Sequence, residues 1–250
     1  MKIIKAKAEI LFLDDQRAID EIYTRIETAG RTCYKSENHI TSESSRKFSA
    51  MVVKNHHEAM LEHAIVTVRF TVDRGVSHEI VRHRIAAFAQ ESTRYCDYSK
   101  GKFGKEISFI EPVFWTDEEH DLELKAWKEL CQEIENMYLG FREYQIQPQE
   151  ARSILPNSLK TEVVMTANIR EWRHFFRLRA ACETGMPHPQ MLEVSVPLFQ
   201  EMSAKLPELF YDIVIPEEVL EKYGKPVADR HNNDQCEGQI TMEELLNGEV

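Results

Sequence analysis

Between Arg82 and Arg94 the chain reads RHRIAAFAQESTR, three arginines, a histidine, a serine and a threonine within one short segment. A guanidinium presents several donors in a fixed plane and pairs with phosphate or carboxylate oxygens through parallel charged hydrogen bonds. The segment is therefore suited to holding an anion. A helix face that needs only solubility favours lysine and glutamate four residues apart, whereas this stretch has no lysine and sets its arginines beside Ala86, Ala87, Phe88 and Ala89. Partial burial of these arginines is expected, and a buried guanidinium needs a partner such as a ligand phosphate.

A second basic strip, NIREWRHFFRLR, runs from Asn168 to Arg179. On a helix Arg170, His174 and Arg177 share one face, while Trp172, Phe175, Phe176 and Arg179 project elsewhere. Arginines then occur around most of the helix, so some of them must face protein or ligand instead of water.

The elements that must position these strips follow from periodicity. A first strand is expected over Ile3–Leu13, then an amphipathic helix through Ile19, Ile22 and Ile26. Thr41, Ser42 and Ser44 offer caps for a helix carrying Phe48, Met51 and Val52. Alternation from Ile65 to Val72 puts Val66, Val68, Phe70 and Val72 on one face and Thr67, Arg69 and Thr71 on the other, a half-buried strand. Gly75 is expected to end it, and Ser77 to cap a helix containing Ile80, Val81 and the RHR triplet. That arrangement would set the donors near a helix N-terminal end, where the dipole favours anions. Ile107–Ile110 reads as a short strand and Thr116–Tyr144 as a long helix burying Trp127, Leu130, Ile134, Met137 and Phe141. Pro148 opens a helix before ARSILP, and TEVVMTAN is a strand leading into the arginine-rich helix. A last long helix follows His188, burying Met191, Val194, Leu198, Met202 and Leu206.

The 250 residues suffice for one sizeable core, expected as a single catalytic domain over 1–225 with a polar, acidic tail over 226–250. No run approaches the ~18 apolar residues of a membrane span, and the charged start reads as a strand, not a signal peptide. Cys33, Cys96, Cys131, Cys182 and Cys236 are scattered without a CxxC pair, the pattern of reduced thiols in a cytoplasmic protein. A net charge of −11 argues against nonspecific nucleic-acid binding, which needs a basic surface. An acidic chain with local arginine clusters suits small anionic ligands drawn into a pocket.

The residues match a known pattern: RHR, seven residues, then Ser92. With RTCYKS at Arg31–Ser36, HEAMLEH at His57–His63, QESTRY at Gln90–Tyr95, ARSILP at Ala151–Pro156, NIREWRHFFRLR and HPQMLEV from His188, the chain resembles the flavin-dependent thymidylate synthases. The motifs occur in that family's order and cover most of residues 30 to 210. The resemblance implies an α/β (α+β) fold, a central mainly antiparallel sheet flanked by long helices, assembled as a homotetramer with shared active sites. It implies FAD as cofactor, with NADPH and methylenetetrahydrofolate as co-substrates, converting dUMP to dTMP. No metal, nucleic acid or membrane enters that chemistry.

By the same resemblance Arg82, His83 and Arg84 bind FAD, with Asn168, Arg170 and His174 as a second flavin strip. His57 lies near flavin and folate, Ala59 stands where the family usually has a hydroxyl, and His188 also falls at the cofactor. Glu79, Arg82, Gln90, Glu91, Ser92, Thr93 and Arg94 bind dUMP, Gln90 also touching the cofactor, and Arg152 comes from a neighbouring subunit. Arg179 grips the uracil and is the catalytic candidate. A fixed guanidinium beside the ring stabilises charge pushed toward C5; its pKa is too high for a general base. Gln90 replaces a family glutamate, Ala87 and Ala89 replace polar residues, and Ala180–Pro187 is longer than the shortest family form.

Residue chemistry alone leaves two other classes open. A metal-dependent nucleotide hydrolase would draw on His57, His63, His78 and His83 with Glu58, Glu62 or Glu79, although HEAMLEH is not HExxH and sets its histidines on different faces. A non-enzymatic nucleotide-binding regulator would share the arginines and need no redox cofactor. Ser92 has no histidine–acid pair to make it a nucleophile, and Cys96 and Cys182 read as packing residues.

Overall fold

The computed structural model describes residues 1–224. Its centre is a four-stranded antiparallel sheet in the order β2-β3-β6-β4, made of β2 (Lys7–Leu11), β3 (Ile65–Asp73), β6 (Lys160–Asn168) and β4 (Ala86–Gln90). Period-two patterning explains the two long strands. Val66 faces Ala167, Val68 faces Met165 and Phe70 faces Val163 across the β3–β6 ladder, and all six are buried. On the opposite face the hydroxyls of Thr67 and Thr166 pair at 2.9 Å.

Long helices flank this sheet, as expected. α1 (Gln16–Tyr34) is N-capped by Asp15 and packs on α2 (Ser44–Lys54). Gly30 permits that approach, because a Cβ there would stand 2.4 Å from two ring carbons of Phe48. Further along lie α3 (Arg74–Ile80), α4 (Asp121–Glu143), the short α5 (Pro148–Ala151), α6 (Ile169–Arg179), α7 (Pro189–Lys205), and the short α8 (Pro207–Phe210) and α9 (Glu217–Tyr223). Trp172, Phe175 and Phe176 of α6 are buried with the sheet's valines, and the Trp172 indole donates to the Val66 carbonyl at 3.0 Å. A smaller apolar cluster of Tyr98, Ile107, Phe109, Cys131, Tyr138 and Leu159 gathers around α4 and the parallel pair β1 (Lys2–Ile4) and β5 (Ser108–Ile110).

Several expectations are corrected. The strand over Ile3–Leu13 is two strands, β1 in the parallel pair and β2 in the central sheet, so the chain changes sheets between Ile4 and Lys7. β3 runs on to Asp73, and Asp73, not Ser77, caps α3 by accepting the Val76 N–H at 2.9 Å; Gly75 lies inside that helix. Helix α3 stops at Ile80, so the RHR triplet follows a helix C-terminal end and Ala86–Gln90 is an edge strand. The dipole there favours the arginines themselves, not an anion. α4 begins at Asp121, not Thr116, and leaves Leu130 and Met137 exposed. The proposed tail, residues 226–250, lies outside the described residues.

Candidate active site

The turn after α3 sorts its three residues by side. The His83 N–H bonds the Ile80 carbonyl at 3.2 Å, which turns the imidazole inward to 4% exposure and leaves Arg82 and Arg84 exposed. These arginines were expected to be partly buried; they line a cleft instead. The cleft, about 610 Å³, opens between this turn and the start of α6, with Asn168, Arg170, His174 and Arg177 on its other wall. The shared face of Arg170, His174 and Arg177 is thus the one turned to the cleft. Asn168 is also the N-cap of α6, its Oδ1 accepting the Glu171 N–H at 2.8 Å.

Positive charge dominates the walls but is partly answered. Arg170 pairs with Glu58 at 3.3 Å and Glu62 at 2.6 Å. Arg173 is almost wholly buried, its fork on Asp212 and the Leu209 carbonyl, so it is an arginine that faces protein. Arg177 bridges Asp212 and Glu183. Beside the cleft lies a hollow of about 360 Å³ lined by Tyr34, His57, Ala59 and Met60, sharing His56, Glu58 and Arg170 with it. The Tyr34 hydroxyl and His57 Nδ1 share a hydrogen bond of 2.7 Å.

From the cleft residues His83 and Glu171, both buried, a polar chain runs on to the half-buried Arg179 and Glu79. Arg179 donates from Nε to His83 Nε2 at 3.3 Å and from Nη1 to Glu79 at 2.9 Å. His83 Nδ1 meets Glu171 Oε1 at 3.1 Å. Burial, then the neighbouring Arg179 and His174, push the His83 pKa down to about 4, so the ring is neutral near pH 7. Burial pushes the Glu171 carboxyl up, and His174 opposes it.

The Gln90–Arg94 loop continues from the end of β4. The Gln90 amide donates to Ser77 Oγ at 2.9 Å and Thr161 Oγ1 at 3.3 Å, a pairing that suits an amide where a carboxylate could only accept. Glu91 takes the Tyr98 hydroxyl and the Lys160 ammonium. Ser92 Oγ accepts the Arg94 N–H. Arg152 reaches Thr93 Oγ1 at 3.2 Å within the same chain, and Arg94 lies exposed over Tyr95 with its Nε on Gln149. His188 stands apart from the cleft lining: its Nδ1 caps α7 by accepting the Gln190 N–H, and its ring packs edge-on to Phe114.

Among the described residues the one cluster with metal-ligand chemistry is His83, Glu171 and His174, not the set drawn from HEAMLEH. Both His83 nitrogens are already engaged, and Arg179 adds positive charge there, so the cluster offers a cation little. Cys96 and Cys182 are pushed up in pKa by burial, which leaves neither an activated thiolate.

A family model described as thymidylate synthase complementing protein matches residues 18–208. The chain belongs to this family. Its relatives include flavin-dependent thymidylate synthases of Mycobacterium sp. (strain JLS), 29% identical over 210 residues with 76% of this chain and 79% of that one covered, and of Pyrococcus abyssi, 34% identical over 177 residues with 66% and 68% covered. The fold is shared with the UMP/dUMP methylase PolB from Streptomyces cacaoi, solved with 5-Br dUMP, at a TM-score of 0.66 and 16% identity over 90% of this chain and 98% of that one.

Against this family background, Glu171 is a cleft residue that sequence reasoning missed, as is His56, which lines both the cleft and the hollow. Glu171 stands three residues after an asparagine N-cap, where a glutamate reads as helix capping and attracts no further notice. Arg173 carried no signal separating it from its neighbours, since only its position inside the helix packing tells it from Arg170 and Arg177.

Proposed function

We propose that the chain is a flavin-dependent thymidylate synthase that methylates dUMP to dTMP, with methylenetetrahydrofolate as carbon donor and NADPH-reduced FAD as hydride source. The observation that carries this reading is the convergence of Arg82, Arg84, Arg170 and Arg177 on one cleft that His83 also lines, with Arg179, itself paired to Glu79, bonded to His83 behind it. The donor set fits a dinucleotide: exposed arginine forks suit a diphosphate, and Asn168, His83 and His174 offer polar and flat surfaces for a ring. Arg82, His83, Arg84, Asn168, Arg170 and His174 would hold FAD, with His57 and Ala59 in the adjoining hollow toward flavin and folate. When bound, the flavin supplies the hydride.

The protein's own residues bind, orient and polarise. Ser92, Arg94 and Arg152 gather hydroxyl and guanidinium donors where a nucleotide 5′-phosphate can be gripped, with Gln90, Glu91 and Thr93 shaping the loop. Arg179, its plane held from two sides, presents fixed positive charge to a uracil ring and stabilises negative charge delocalised onto its oxygens and N3. A homotetramer with shared sites belongs to the same reading, supported by Ile85 and Tyr95, large apolar side chains left 70% and 74% exposed beside the motifs. A cytoplasmic setting is supported by the unpaired thiols of the described cysteines. Among the described residues no helix is long and apolar enough to cross a membrane.

The purified protein is expected to show flavin absorbance, or to acquire it on adding FAD, and to oxidise NADPH only when dUMP is present. A colourless protein that takes up no FAD would sink the reading. Nucleotide binding without flavin would favour a regulator instead, and hydrolysis dependent on a divalent metal would favour a hydrolase.

A further inference from the structure

Glu171 sits three residues after the N-cap of α6, and a glutamate at that position ordinarily folds back onto the cap's own N–H. Here it does not. Asn168 Oδ1 takes the Glu171 N–H at 2.8 Å, while the Glu171 carboxylate reaches across to His83 Nδ1 at 3.1 Å, both side chains being more than nine-tenths buried. Burying a carboxylate is costly unless its partner compensates, and the helix could have been capped by Asn168 alone.

The other end of His83 explains what the contact does. Arg179 Nε–H points at His83 Nε2 from 3.3 Å, and a guanidinium can only donate, so Nε2 must carry the lone pair and Nδ1 the proton. Which ring nitrogen of a histidine bears the proton is set by the bond the other makes. The ring itself cannot readily turn, since Phe175 lies 4.9 Å away and His174 sits edge-on at 5.8 Å, centroid to centroid. With Nδ1–H held on Glu171, Nε2 accepts from Arg179. With the opposite tautomer, an N–H would face an N–H and the guanidinium would be left to Glu79 alone, 2.9 Å from Nη1.

We infer that Glu171 is a positioning residue for Arg179: by selecting the Nδ1–H tautomer of His83 it makes that imidazole an acceptor and fixes the plane of the guanidinium. The catalytic consequence rests on the thymidylate synthase reading; the tautomer selection does not. The depressed basicity of His83 agrees, since an acceptor must be neutral.

The test compares Glu171→Gln, Glu171→Asp and Glu171→Leu by ring-nitrogen NMR of His83 and by steady-state kinetics on FAD-loaded protein. Wild type and Glu171→Gln, whose amide oxygen still accepts from Nδ1–H, should show the Nδ1–H tautomer and kcat values within about threefold of each other. Glu171→Leu should lose the tautomer preference and lower kcat on the order of tenfold, with a smaller change in KM for dUMP. Should Glu171→Leu not fold, Glu171→Asp replaces it, because aspartate suits the helix start yet its shorter side chain withdraws the oxygen from Nδ1. An unchanged tautomer in the Leu or Asp variant would overturn the inference, as would a lost tautomer with wild-type kcat. A tautomer that shifts in a protein whose wild type has no dUMP-dependent activity would overturn the functional reading and the catalytic consequence, and leave the selection by Glu171 standing.

Discussion

Replacing Arg179 by lysine tests whether a guanidinium fixed at two points acts on the transition state. Arg179 is held by Nε on His83 and by Nη1 on Glu79, and its side chain keeps only 23% of its exposure. Lysine keeps the charge but has one ammonium, so it can satisfy Glu79 or His83 and cannot hold a plane. Removing one preorganised electrostatic donor costs about 2.7–4 kcal/mol in the transition state. The retained charge places this substitution at the low end, about 2.7 kcal/mol, or roughly a hundredfold in kcat. Folding should suffer little, because Glu79 is about a third exposed and a partly exposed pair contributes ~1 kcal/mol or less. Arg94 provides the contrast. It lies exposed over Tyr95, so Arg94→Lys should act on binding and raise the KM for dUMP about tenfold while sparing kcat. The assay is steady-state turnover against dUMP concentration, after FAD content and oligomeric state have been matched to wild type. If Arg179→Lys turned over at the wild-type rate with dUMP saturating, the residue would be a binding group only and the electrostatic argument would fall.

Two further outcomes concern stability. Burial pushes the Glu193 carboxyl up to about 7, with Asp73 and Glu111 adding to it and Lys5 opposing, and its Oε2 is buried without a hydrogen-bond partner. A raised folded-state pKa means the fold is favoured while this group is protonated and loses that contribution as pH climbs through about 7. Glu193→Gln should therefore melt progressively higher than wild type as pH rises from about 5 to about 8, and a pH-independent difference would refute the assignment. Gly30→Ala drives a methyl against the Phe48 ring and should cost about 1–3 kcal/mol, a Tm loss of several degrees in thermal melts, whereas an unchanged Tm would show that α1 and α2 can separate freely.

The parts of the fold legible in the sequence were those whose pattern came from one dominant force. β3 and β6 alternate because one face is buried against helices, and α6 was readable because its aromatic and basic residues separate by face. The RHR segment misled because Ala86–Ala89 carries no β-branched residue; what makes it a strand is its ladder with β6, a long-range pairing invisible locally. α4 misled for a different reason. Its buried side includes Glu135, which accepts the Ile107 N–H at 2.6 Å and is 4% exposed, so a charged residue occupies the inward stripe and Leu130 and Met137 turn outward. The candidate site was legible in its arginines and in Asn168 and His174. It was not legible in Glu171, whose work depends on a histidine 88 positions away.

Helix α6 threads core and cleft residues through one register, Trp172, Phe175 and Phe176 inward and Arg170, His174 and Arg177 toward the cleft. Each residue of an α-helix advances about 100° around the axis. Deleting or inserting a single residue within α6 would therefore swing arginines into the apolar interior and rings into the cleft together, and no local adjustment could repair one without the other. Changes of chain length at this edge of the protein have a different outlet, the mostly exposed stretch between Ala181 and Met186 that joins α6 to α7. Lineages of this chain can be expected to vary in length there while α6 keeps its count, and an engineer seeking to insert a tag or a sensor near the site should choose that loop and leave the helix whole.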